Sequence, residues 1–268
     1  KNVNSSKLAA KYNFSDLTTE DSIVWENNNL NTIIIATRHD THADYICKGL
    51  DSGKNVFVEK PLCLNKEQFD SIYDSYQKSR KDDGSGPLLM VGYNRRFSKL
   101  TTKLKELLDL KGSTKSFIYT CNAGYIDENH WTQKSSIGGG RFLGEACHFI
   151  DLMMFLAGSN IKSLNINNTI DKKEQPDTFS VEIKFTDGSI GTLHYFSNGN
   201  KKFPKERLEV FCSGTIFRID NFLTLKAWSS ESLYFKSKRL LKQDKGNKAC
   251  IDSFIQSIEH GLSSPIPY

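Results

Sequence analysis

The sequence predicts an α/β protein in two parts: a doubly wound parallel sheet over residues 1–96, then an α+β part over 97–268 with a mainly antiparallel open sheet. Two observations carry this expectation. Ahead of Arg96, short runs that are apolar on both faces alternate with helical stretches, the pattern of central strands in a parallel sheet. Beyond it the apolar period falls to two, which describes strands with one wetter face.

Taken in order, Leu8–Tyr12 reads as the tail of a helix and Ser22–Trp25 as part of another. Thr32–Ala36 is the first buried strand, followed by a helix from His42 to Leu50 that Gly53 ends. Asn55–Glu59 is the second strand, Lys66–Ser79 a helix, and Leu88–Gly92 the third strand. Asp82–Pro87 is a turn-rich surface loop, since a strand follows it at once. In the second part a helix covers Leu100–Leu108, and Phe117–Thr120, Ser180–Phe185 and Gly191–Phe196 alternate as strands. Asp187-Gly188 joins the last two as a hairpin. An apolar helix over Phe142–Leu156 stops at Gly158, and another over Cys250–His260 stops at Gly261.

Composition narrows the functional classes. With 38% hydrophobic and 25% charged residues, the chain is ordinary for a folded soluble protein. The net charge of +5 comes largely from Lys236, Lys238, Arg239, Lys242, Lys245 and Lys248. No interleaved aromatics accompany that cluster, so it reads as a solvated face or a site for an anionic substrate and not as a nucleic-acid surface. Six scattered cysteines without a CxxC pair read as reduced thiols, favouring the cytoplasm and arguing against a metal site. No apolar run reaches the roughly 18 residues of a membrane span. The polar start at Lys1–Ser6 and the abrupt end at Pro265–Tyr268 lead to an expectation of truncation at both ends.

Parallel sheets place ligands at the carboxyl ends of their strands. After the first strand stand Thr37, Arg38, His39, Asp40, Thr41 and His42; after the second, Glu59, Lys60 and Pro61; after the third, Tyr93, Asn94, Arg95 and Arg96. All these ends are polar, and several carry groups that move protons or hold anions. A lone histidine such as His148, on an otherwise apolar helix, reads by itself as a satisfied interior group.

The stretches Ala36–His42, Val56–Leu62 and Val91–Phe97, with Gly138-Gly139-Gly140-Arg141 and Cys147–Asp151, resemble the Gfo/Idh/MocA oxidoreductases in residue type, order and spacing over essentially the whole chain. The resemblance implies a Rossmann-like first part and an NAD- or NADP-dependent dehydrogenase of a sugar, nucleotide sugar or cyclitol. It implies that Thr37, Arg38, His42, Glu59, Lys60 and Asn94 border the cofactor, with a cis peptide before Pro61. Lys60 and His148 become the catalytic pair: an ammonium can orient a hydroxyl and steady negative charge, and an imidazole can accept its proton. Tyr93, Arg95, Asn122, Trp131, Arg141 and His148 are the candidates for substrate contact, with His130 near them. Trp131 reads equally well as core. Members of the family commonly carry an aspartate one turn before the histidine; here that position is Gly144, and the Gly-Glu-x-Cys-His variant resembles one branch. Glu145 then orients His148 or grips a substrate hydroxyl, or else is a helix-start acid favoured by the macrodipole.

No GxGxxG turn occurs in these residues, so the resemblance makes the first part an incomplete Rossmann unit, with the phosphate-holding strand and turn expected upstream of Lys1. An upstream fused enzyme domain and a homo-oligomer built on the antiparallel sheet are further implications. The missing turn and Gly144 keep a second function open, a noncatalytic sugar-binding or assembly module on the same fold.

Overall fold

The computed structural model describes residues 3–169, 176–229 and 235–268. Helices α1 (Val3–Lys11) and α2 (Ser22–Glu26) lead into β1 (Thr32–Ile35), α3 (His42–Asp51), β2 (Asn55–Val58), α4 (Lys66–Ser79) and β3 (Leu89–Val91). The three strands pair in parallel in the order β1-β2-β3. Period-two geometry gives this small sheet two faces. Val56, Val58, Leu89 and Val91 pack with Ile46 and Leu50 of α3 and Ile72 of α4, while Phe57 and Met90 point the other way. That second face is covered from the far end of the chain by α7 (Asn247–Glu259), whose Cys250 and Phe254 join Phe57, Met90 and Ile266 in one cluster. Asn65 accepts the Gln68 amide at 2.9 Å, which fixes the start of α4 where the sequence places it.

The second part contains α5 (Lys99–Asp109), β4 (Ser116–Asn122), α6 (Cys147–Ala157), β5 (Ile161–Asn168), β6 (Phe179–Phe185), β7 (Ile190–Phe196), β8 (Glu206–Cys212), β9 (Thr215–Asp220), β10 (Thr224–Ser229) and β11 (Ser237–Arg239). Its eight strands run β11-β10-β9-β8-β4-β7-β6-β5. Every pairing is antiparallel except β4 with β7, which is parallel. Inward residues such as Phe117, Tyr119, Val181, Leu193, Val210 and Phe217 meet Leu100 and Leu104 of α5 and Phe149, Leu152 and Leu156 of α6. The opposite face leaves Ile118, Ile190, Phe211, Ile216 and Trp228 exposed.

The apolar helix expected over Phe142–Leu156 is not α-helical throughout. Phe142–Ala146 forms a π-helical turn and only Cys147–Ala157 is α, closed by Gly158 in the left-handed region at φ 71°. No helix among the described residues is long and apolar enough to cross a membrane.

Because Phe254 is wholly buried between α7 and the small sheet, Phe254→Ala should destabilise the protein by about 3–5 kcal/mol in urea unfolding. A loss below about 1 kcal/mol would mean that α7 contributes no core to that sheet.

Candidate functional site

The carboxyl ends of β1, β2 and β3 face the segment 138–148. Behind β2 the chain turns through a cis Lys60–Pro61 peptide. His42, fully buried at the start of α3, sets its Nδ1 2.7 Å from the Pro61 carbonyl oxygen and its Nε2 3.3 Å from that of Thr37. It therefore braces one strand end against the next and has no open side. Lys60 is half-buried and its Nζ donates to the Gly144 carbonyl at 2.6 Å. That bond ties the end of β2 to the π-helical turn.

His148 is the second residue of α6, 8% exposed, beside Tyr93 at a ring separation of 6.2 Å. Its Nδ1 is buried without a partner among the described residues. Burial, then the positive charges of Arg95, Lys60, Lys245 and Lys205, hold its pKa well below that of free imidazole. It is neutral at pH 7 and able to accept a proton. The Lys60 ammonium is close enough to act on it electrostatically.

Glu145 does not reach His148. Its carboxylate accepts the Tyr195 hydroxyl at 2.9 Å and lies 3.9 Å from Lys205 and 4.0 Å from Arg141. Burial pushes this carboxyl up, but Lys205, Arg141 and the Tyr195 hydrogen bond outweigh it and hold the group below its ordinary value. Arg141 is 3% exposed; its Nε donates to Tyr195 at 2.5 Å and its Nη1 is buried without a partner. Tyr195, an inward residue of β7, was not singled out in the sequence, although the period-two pattern of that strand points it toward α6.

Other sequence candidates have commitments elsewhere. Arg95 makes two bonds to Glu206, at 2.9 and 3.1 Å, and is 7% exposed, so it meets a carboxylate of this chain instead of open space. Glu206 also accepts from Tyr119 at 2.7 Å and Lys245 at 2.5 Å. Asn94 donates to the Lys245 carbonyl and to Asn247, and Asn122 donates to the carbonyls of Asn200 and Phe203 while its Oδ1 has no partner. Arg96 pairs with Asp151, locking the end of β3 to α6. Thr37 and Arg38 are exposed, Glu59 and Tyr93 are half-buried, and Trp131 lies under the Arg38 guanidinium at 5.8 Å. His130 is exposed.

Hydroxyls, a half-buried amine and a neutral imidazole at the ends of parallel strands fit the nicotinamide and ribose end of a dinucleotide. The glycine-rich cradle that would hold a pyrophosphate is not among these residues.

Such a sheet and strand-end arrangement is that of the Rossmann-like folds. Residues 1–82 match the oxidoreductase family model with an NAD-binding Rossmann fold, and residues 112–218 match the GFO/IDH/MocA C-terminal domain. The chain belongs to the Gfo/Idh/MocA family. It is 25% identical over 211 residues to myo-inositol 2-dehydrogenase of Thermotoga maritima, covering 72% of this chain and 57% of that protein. It is 29% identical over 178 residues to scyllo-inositol 2-dehydrogenase (NAD(+)) of Bacillus subtilis, covering 63% of this chain and 49% of that protein. The chain thus spans about half of these curated relatives. The structure of levoglucosan dehydrogenase in complex with NADH and levoglucosan superposes with a TM-score of 0.86 at 19% identity, over 99% of this chain and 80% of that one, which establishes the shared fold.

Glu206 offers a test of how the site is held. Burial raises its pKa, but Arg95 and then Lys245 overcome this and bring it down to about 2 from 4.5. A depressed folded value means that its stabilisation is complete above pH 4.5 and is lost as pH falls toward 2. Glu206→Gln should lose about 3–5 kcal/mol at pH 7 by leaving Arg95 buried and unpaired. Urea midpoints measured from pH 7 down to pH 3 should fall less steeply in the variant than in the wild type.

Proposed function

We propose that this protein is an NAD-dependent dehydrogenase acting on a secondary hydroxyl of a sugar, nucleotide sugar or cyclitol. The observation that carries the reading is the pairing of Lys60, bonded to the π-helical turn, with a neutral His148 on the helix that continues it. The family membership and the inositol dehydrogenases among its relatives support the substrate class.

A nicotinamide held there would supply the acceptor for the hydride of the carbinol carbon. In this reading the Lys60 ammonium donates a hydrogen bond to the reacting oxygen and opposes the charge that grows there. His148, neutral at pH 7, accepts the hydroxyl proton; since Nδ1 is enclosed, Nε2 is the nitrogen left to receive it. Glu145 acts through Tyr195, Arg141 and Lys205, tying the π-helical turn to β7. Thr37, Arg38 and Glu59 border the ribose, while His42 and Asn94 serve by bracing the strand ends. Arg95 is assigned to Glu206 and not to substrate.

Residues 1–96 form the cofactor portion of this proposal and 97–268 the substrate portion. The exposed apolar residues of the eight-stranded sheet support its use as the face between copies of the chain. Six free cysteines support a reducing compartment, the cytoplasm.

The test uses the protein with any residues encoded ahead of Lys1 included. NADH fluorescence should be quenched or shifted on binding, and turnover should appear with myo-inositol, scyllo-inositol or levoglucosan among the substrates screened. Lys60→Ala should leave NADH affinity within about tenfold and lower turnover by about 10² or more, and His148→Asn should lower it by about 10²–10⁴. Sugar binding without any NADH binding would point to the noncatalytic reading instead.

A further inference from the structure

The small residue at position 144 has a consequence for a neighbouring loop. A Cβ built on Gly144 would lie 3.3 Å from Cε1 and 3.8 Å from Nδ1 of His39. The imidazole of His39 therefore occupies the space that a side chain at 144 would enter. The same residue, through its carbonyl, receives the Lys60 amine at 2.6 Å. His39 and Lys60 thus meet on one backbone position, from the ends of two adjacent parallel strands.

Nothing in the way His39 is held is loose. Its Nδ1 stands 2.8 Å from the Gly138 carbonyl oxygen, a pure acceptor, so Nδ1 carries the ring proton and Nε2 has the free lone pair. Trp131 packs edge-on against the ring at 4.9 Å, and His42 lies 5.5 Å away on another side. The Asp40 amide also bonds the 138 region, to the Ile137 carbonyl, so the loop after β1 is pinned on both sides of the imidazole. His39 is 8% exposed, and burial, with Lys60 adding to it, keeps its pKa below the ordinary histidine value despite the Gly138 bond. A neutral ring with one nitrogen fixed to the backbone presents a single acceptor.

We propose that His39 is a further substrate-contacting residue, whose Nε2 accepts a hydrogen bond from a hydroxyl of the polyol beside the one that Lys60 engages. The inference rests on the dehydrogenase reading and makes the substrate a compound with two neighbouring hydroxyls. Trp131 then has a role behind the ring, as the support that keeps His39 upright, and Gly144 leaves the room beside the ring that a larger side chain would take.

His39→Asn separates this role from a structural one. The asparagine amide reaches the Nδ1 position and can still donate to Gly138, but it has no atom where Nε2 stands. With myo-inositol and NAD as the probe pair, the variant should lose about tenfold or more in kcat/KM, mainly through KM, while its thermal midpoint and NADH affinity match the wild type. In histidine ¹⁵N spectra of the NADH-bound wild type, the resonance that vanishes in the variant should show the Nδ1–H tautomer and shift at Nε2 when myo-inositol is added. Wild-type kinetics in His39→Asn, or an Nε2 signal that ignores myo-inositol, would overturn the assignment. Failure of the underlying dehydrogenase reading shows separately, as a wild type that does not bind NADH, and it removes this inference as well.

Discussion

The carboxylate of Glu206 is the point on which the two sheets depend. It sits at an inward position of β8, 1% exposed, and a lone charge there would cost several kcal/mol. Two Arg95 bonds, the Tyr119 hydroxyl and the Lys245 amine meet that demand together. Those partners come from the end of β3, from β4 and from the segment ahead of α7, so satisfying one charge fixes four pieces of chain in space. Arg95 stands next to Asn94 and Arg96, whose bonds to Asn247 and Asp151 continue the clamp into α7 and α6.

The electrostatics of His148 follow from the same arrangement. Arg95 and Lys245 are recruited to neutralise Glu206, yet both also act on the imidazole, alongside Lys60 and Lys205. The cations that hold the architecture together therefore also keep the histidine uncharged. Burial lowers the proton affinity of His148 most, and the structural cations add to it, so their mutation is informative only when stability and pH response are measured together.

How much of this was readable beforehand varied with the range of the interaction. Helix α4 was legible to its ends because its signals are local: Asn65 caps it and the apolar period is clear. Strands β1 to β3 were legible as near-continuous apolar runs, although only β2 and β3 are covered on both faces, Ile34 of β1 being exposed. By contrast, β8 to β11 carry charges at several positions, among them the inward Glu206, and their pattern makes sense only once Arg95, 111 residues away, is beside it. The π-helical turn was invisible for a related reason, since its apolar composition resembles that of the α-helix it precedes. Lys60 and His148 were found through the resemblance of their motifs, whereas His39 needed coordinates: its importance lies in the space left by Gly144, and an absent side chain gives no signal of what fills it. Arg95 and Asn122 were polar residues at plausible places whose partners turned out to lie within the chain.

The return of α7 to the small sheet carries a consequence for synthesis. One face of that sheet is finished early, by α3 and α4, but Phe57 and Met90 wait for Cys250, Phe254 and Ile266. A growing chain therefore holds two large apolar side chains without their cover until the residues from 250 onward have left the ribosome. Contacts of such long sequence separation slow folding and lengthen exposure of sticky surface, so this protein should draw on chaperones during translation more heavily than one whose sheets close in chain order.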